Sequence, residues 1–143
     1  EDRVLLLLRV REPAAGAWTV PGGFCEAAEH PRAACERELW EETGVRGRAV
    51  AYLGAWMDVY GEPEPDGQQI QTVVSGYLCR LEDPAAAPRP DPAEAREVRW
   101  FPLSAPPAPL AFPRHVPAMI AAGAELVAGR GTGPDGLPRM LDA

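Results

Sequence analysis

GGFCEAAEHPRAACERELWEETGV, residues 22–45, is the stretch on which the reading of this chain turns. Pro31 suits the first turn of a helix, where its missing N–H costs nothing, and Gly44 suits the left-handed position just past the last turn. Between them the spacing predicts a helix of about three and a half turns. Glu38, Glu41 and Glu42 then stand at i, i+3 and i+4, so their carboxylates share one face. Such a cluster costs a few tenths of a kcal/mol per pair when solvated, and about 3 kcal/mol per pair at ~6 Å if the effective dielectric constant falls to ~20. A cation is needed to offset that repulsion. Mg2+ is the natural choice, because it prefers oxygen ligands and is commonly shared between carboxylates and substrate phosphates. Arg37 points about 100° around the helix from Glu38, which places it better to hold a neighbouring carboxylate than to join the cluster, with Glu29 as partner.

Gly23, Glu29, Arg37, Glu38, Glu41, Glu42 and Gly44, with apolar Leu39 and Val45, complete the pattern G-x5-E-x7-R-E-U-x-E-E-x-G-U, where U is a bulky aliphatic residue. At roughly 0.07 per site for each fixed residue, a chance match in one register is about 1 in 10^8. The stretch resembles the signature of the Nudix hydrolases, of MutT type. An isolated ExxEE is ordinarily a solvated helix face; the Pro-Gly-Gly turn at residues 21–23, with Glu29 and Arg37 at their required distances, reverses that reading. The resemblance implies a mixed, partly parallel sheet between the signature helix and a C-terminal helix, an α/β/α sandwich. It further implies Mg2+-dependent hydrolysis of a nucleoside diphosphate linked to another moiety, with Mn2+ as a possible substitute. Glu38, Glu41 and Glu42 would bind metal together with a backbone carbonyl at Gly22. Gly23, Glu29, Arg37 and Gly44 would orient the loop and helix. The general base falls on different carboxylates within the family, so Glu38, Glu42 and Glu94 are all candidates. Some Nudix-fold domains are non-catalytic nucleotide sensors, and that is the alternative here; such domains commonly have eroded signatures, whereas this one is intact.

The totals agree with that class. At 143 residues the chain makes one domain, long enough to bury about two thirds of its unfolded surface. Acidic residues outnumber basic ones by 21 to 14, for a net charge of −7. That argues against stable nucleic-acid binding, which needs a basic footprint. No apolar run has the length of a bilayer span and nothing resembles a signal peptide, so a cytoplasmic protein without membrane association is expected. Cys25, Cys35 and Cys79 are odd in number and widely spaced, which predicts neither a disulfide framework nor a zinc site; each reads as a small apolar residue. The expected partner is a nucleotide or nucleotide derivative, and a homodimer is compatible with the pattern.

Upstream of the signature, residues 4–10 form a continuous apolar run, the mark of a strand buried on both faces. The family usually has another strand ahead of this one, so the resemblance implies that residues 1–128 form the Nudix domain without its first strand. Arg9 and Arg11 border the turn that follows, as solvated strand-end residues or as phosphate contacts, with Arg9 the candidate for the latter. Residues 18–20 predict a short strand. Beyond the helix, 49–60 predicts a strand bulged at Gly54, 61–67 an exposed loop, and 69–81 a second long strand completing a hairpin. Residues 83–92, rich in Pro and Ala, read as a linker. A last strand is expected over 96–103, with Glu94 just ahead of it and Glu97 a weaker candidate of the same kind. A helix is expected over 113–128 with Val116, Met119, Ile120 and Val127 on its apolar face, covering the other side of the sheet. His115 reads as a surface or packing residue. The tail, 129–143, reads as flexible. Trp18, Trp56, Tyr60 and Tyr77 offer planar surfaces, and Trp18 and Tyr60 join Arg9 as substrate-binding candidates. No Ser-Pro-Gly follows the signature, and the additional signature of coenzyme A pyrophosphatases is absent, which weakens those substrate assignments and leaves nucleotide sanitising open.

Overall fold

The computed structural model describes residues 2–129, with Tyr60 known by its backbone alone. The tail expected over 129–143 therefore lies, from residue 130 onward, outside the described residues. Element order is β1 (Arg3–Arg9), β2 (Trp18–Thr19), α1 (Pro31–Thr43), β3 (Gly47–Tyr60), β4 (Ile70–Leu81), β5 (Ala95–Pro102) and α2 (Val116–Val127). One sheet runs β2-β1-β5 and the other is the β3-β4 hairpin. Both have antiparallel ladders. Parallel pairing among the described residues is the isolated bridge of Trp18 with Leu110.

β1 organises the molecule because its apolar run serves two faces at once. Leu6 and Leu8 pack with Trp18, Val116 and Ile120 beneath α2. Leu5 packs with Leu39 and Val45 beneath α1. β5 alternates in the same sense, sending Trp100 to the α1 side and Phe101 to the α2 side. Each helix also reaches the second sheet. Leu39 of α1 lies against Gly47, and Met119 of α2 so fills the space over Gly76 that a Cβ there would sit 3.0 Å from it. The two sheets are thus clamped between two helices, which is the expected sandwich.

Three local expectations are modified. Residues 83–92 are not a free linker: the Arg89 and Asp91 N–H groups donate to the Thr43 and Glu42 carbonyls at 2.7 and 3.1 Å, closing the C-terminal end of α1. α2 begins at Val116 rather than 113, because Pro117 is tolerated only in the first turn and an earlier start would set its ring against the residue 113 carbonyl. Its inner face is Val116, Met119, Ile120 and Gly123, while Val127 is exposed. The cysteines also differ from simple apolar fillers, since the Cys35 and Cys79 sulfurs touch at 3.7 Å across the α1–β4 contact.

Candidate active site

α1 forms where the capping logic places it. The His30 imidazole accepts from the Arg32 N–H, Pro31 follows, and Gly44 adopts φ 66° with its N–H on the Trp40 carbonyl. Arg37 then ties the signature loop to the helix. Its guanidinium grips Glu29 with two bonds of 2.8 and 2.9 Å and reaches the Phe24 carbonyl at 3.1 Å. That fork, joined by the Glu26 N–H, holds the Glu29 carboxyl down at about 2. The expected Arg37–Glu29 pair is therefore present. The expectation that Arg37 stays clear of the acidic cluster is corrected. Its Nη1 lies 2.8 Å from Glu38 Oε1 and 2.9 Å from Glu41 Oε2, because a long side chain overcomes the angular offset and Glu41 is its i+4 neighbour.

Gly22 and Gly23 divide the work of the turn. The Gly22 N–H donates to Glu42 Oε2 at 2.8 Å, and a side chain at Gly22 would meet open space. A Cβ on Gly23 would meet Glu38 Oε1 at 2.5 Å. Only a residue without a side chain lets the Glu38 carboxylate lie against this backbone.

Glu42 is the electrostatic centre. Its side chain is buried, with 9% of the residue exposed. Burial chiefly, and the charges of Glu38 and Glu94 in addition, push its carboxyl up to about 7, against the opposing pull of the Gly22 N–H and Arg9. The charges of Glu38, Glu94 and Arg9 therefore all act on Glu42, although these residues come from α1, the approach to β5 and the end of β1. Arg9 is held by the Pro13 carbonyl at 2.9 Å, and its guanidinium lies 4.9 Å from the Phe112 ring.

The remaining candidates fall elsewhere. Trp18 is buried in the core with Phe101 edge-on at 4.7 Å, which closes it to a stacking ligand and corrects that expectation. Tyr60 ends β3, and its side chain lies outside the described residues. Glu97 pairs with Arg99 on β5. His115 is a buried packing residue, stacked on Phe112 with Nδ1 2.7 Å from Asp58 Oδ2, though the angle is poor for a hydrogen bond. Sequence reasoning missed Phe112, whose ring lies under Arg9 and whose residue type alone gives no signal of that contact. Arg11, which borders the same turn as Arg9, donates to the Ala93 carbonyl at 2.9 Å and lies 3.4 Å from Glu94. A shallow cleft at the start of α1, lined by His30, Arg32, Ala33, Glu36 and Arg48, is separate from this cluster.

As the side chains stand, no three metal-ligating groups among the described residues converge into one shell, since Glu38 and Glu41 turn to Arg37. The donor chemistry nevertheless fits a hard divalent ion. Glu42 is a desolvated carboxylate on which the charges of Glu38 and Glu94 act, and every donor is oxygen.

With this geometry in place, comparison with known proteins is decisive. A family model described as NUDIX domain matches residues 1–121. The chain belongs to the Nudix hydrolase family. It is similar to the human diphosphoinositol polyphosphate phosphohydrolase 3-alpha, 45% identical over 56 residues, a match covering 39% of this chain and 33% of that protein. The chain thus spans about a third of the length of the curated relatives it matches. Among solved structures, a Nudix hydrolase from Nitrosomonas europaea aligns at TM-score 0.69 and 28% identity, over 93% of this chain and 71% of that one. The Nudix domain of Shewanella oneidensis NrtR, solved with ADP ribose, aligns at TM-score 0.62 and 25% identity, over 87% and 77%. No helix among the described residues of this Nudix chain is long and apolar enough to cross a membrane.

Proposed function

We propose that this Nudix domain hydrolyses the phosphoanhydride bond of a nucleoside diphosphate linked to another moiety, using Mg2+, or Mn2+ in its place, held by Glu38, Glu41 and Glu42 with the Gly22 carbonyl. The observation that carries this reading is the Glu42 carboxylate, buried against the signature loop on the Gly22 N–H, with its pKa pushed up to about 7 by burial and by the charges of Glu38 and Glu94. A fold does not normally bury a carboxylate in the field of two others unless positive charge arrives to join them. A bound divalent ion would neutralise charge on the bridging phosphates and lower the pKa of an attacking water.

The chain's own residues supply the rest. Arg9, fixed at the end of β1 with its charge acting on Glu42, is placed to hold a phosphate oxygen. Gly23 keeps the floor open so that Glu38 can lie against the loop. Arg37 holds the loop to the helix through Glu29, and its contacts with Glu38 and Glu41 fix the position of those carboxylates. Glu94, on the segment leading into β5, has no ion pair with Arg37 and acts on Glu42 through its charge, and we take it as a candidate base for the attacking water alongside Glu38 and Glu42. The likeness to a Nudix domain solved with ADP ribose supports a nucleotide derivative as substrate.

The test is a panel of nucleoside triphosphates, oxidised dGTP, ADP-ribose, NADH, dinucleoside polyphosphates and diphosphoinositol polyphosphates. Mg2+-dependent product release from at least one, abolished by a chelator, is expected. No release above the chelator control across the panel, with nucleotide binding retained, would assign the chain to the non-catalytic sensing class instead.

A further inference from the structure

We propose that Arg11 is a positioning residue for Glu94, holding residues 91–94 against the end of β1 and so fixing the position of the Glu94 carboxylate. The inference rests on the reading of Glu94 as a working carboxylate of the site. Glu94 stands in the field of Glu42, which repels it, and its side chain is 35% exposed, so nothing in its own burial keeps it in place.

Two anchors hold the segment. Asp91 fixes its first half: its N–H donates to the Glu42 carbonyl at 3.1 Å, its carboxylate accepts from the Ala93 N–H at 3.0 Å, and its carbonyl accepts from Glu94 and Ala95 at 3.0 and 2.8 Å. Arg11 fixes the second half. Its Nε donates to the Ala93 carbonyl at 2.9 Å while Nη1 lies 3.4 Å from Glu94 Oε1, so one guanidinium spans the backbone before Glu94 and the carboxylate itself. The Val10 N–H, immediately before Arg11, takes the Glu94 carbonyl at 3.1 Å. The same guanidinium brings a positive charge beside the Glu94 carboxylate. Because the Arg11 side chain is 61% exposed, it can be replaced without disturbing the core.

The experiment has two arms on the same variants. In the first, Arg11→Ala lowers kcat about 10-fold with KM within about twofold, as expected for a displaced catalytic group. Arg11→Lys is intermediate, retaining charge but not the fork. In a Glu94→Gln background Arg11→Ala costs less than about twofold, because its target is already gone. In the second arm, hydrogen exchange of the metal-free protein over residues 93–95 speeds up at least about fivefold in Arg11→Ala. Equal kcat losses in both backgrounds, a loss confined to KM, or unchanged exchange would overturn the proposal. If the unsubstituted chain hydrolyses nothing, the functional reading fails on its own account, and the exchange arm still decides whether Arg11 holds the segment.

Discussion

At the scale of single residues, Glu42 carries the largest electrostatic liability in the site, and its sign gives a direct prediction. Its folded pKa of about 7 lies above the ordinary 4.5. Between those values the folded chain keeps a proton that the unfolded chain has released, so stability falls as pH rises through the window and stays low above it. The loss reaches up to about 3 kcal/mol in metal-free protein. Thermal melts between pH 4.5 and 8 with chelator should show that decline. Glu42→Gln should flatten it, and Mg2+ should offset it; superimposable profiles for the two proteins would refute the assignment. Gly23 offers a second test. A Cβ there meets the far end of a flexible carboxylate, so Gly23→Ala should displace Glu38 with little loss of stability. We expect turnover to fall at least about 10-fold while the melting temperature shifts by no more than about 3 °C, and retained turnover would show that Glu38 need not lie against the loop. The carboxylates were legible in the sequence because their spacing is tied to one helix. The separate duties of Gly22 and Gly23, and Arg37's reach to Glu38 and Glu41, depend on side-chain directions that no spacing encodes.

At the scale of elements, α1 is the piece on which the site stands, and its two ends differ in how visible they were. The start and stop were written in Pro31 and Gly44. The closure of its C-terminal carbonyls was not, because the donors are backbone N–H groups of Arg89 and Asp91, and backbone donors leave no mark on residue type. Composition alone therefore made a linker of a segment that is anchored. Thr43 completes this end from within. Fully buried, its hydroxyl donates to the Leu39 carbonyl at 2.5 Å and accepts from the Val45 N–H at 3.2 Å. Thr43→Val keeps the shape but leaves Val45's N–H without its partner, at a cost of about 1–3 kcal/mol. Urea unfolding should register that as a lower midpoint at unchanged slope, and an unaltered midpoint would mean that the hydroxyl is dispensable. α2 shows the reverse error. Its apolar periodicity was clear, yet Pro117 set the true start, and Val127, though on the same face as Val116, is exposed because it is the last residue of the helix.

At the scale of the whole molecule, the alternation along β1 explains why a single apolar run supports helices on both sides of the sheet. Leu5 serves α1, Leu6 and Leu8 serve α2, and the second sheet is captured by the same two helices. That architecture was legible from the order of elements, and so was the β3-β4 hairpin, whereas the antiparallel pairing of β1 with β5 was not, since those partners lie far apart in sequence. The fold brings the end of β1, the signature helix and the approach to β5 to one place, and so assembles Arg9, Glu42 and Glu94 from three separate stretches. In a chain of net charge −7, the proposed phosphate recognition would come from such local cations and from the proposed metal rather than from the general field. The most direct test of this account is the turnover of Glu42→Gln with Mg2+, on whichever panel substrate the unsubstituted chain cleaves best. A fall of at least ~10^2 in kcat, with an unchanged circular dichroism spectrum, is the expected result; near-normal turnover in the folded variant would contradict it.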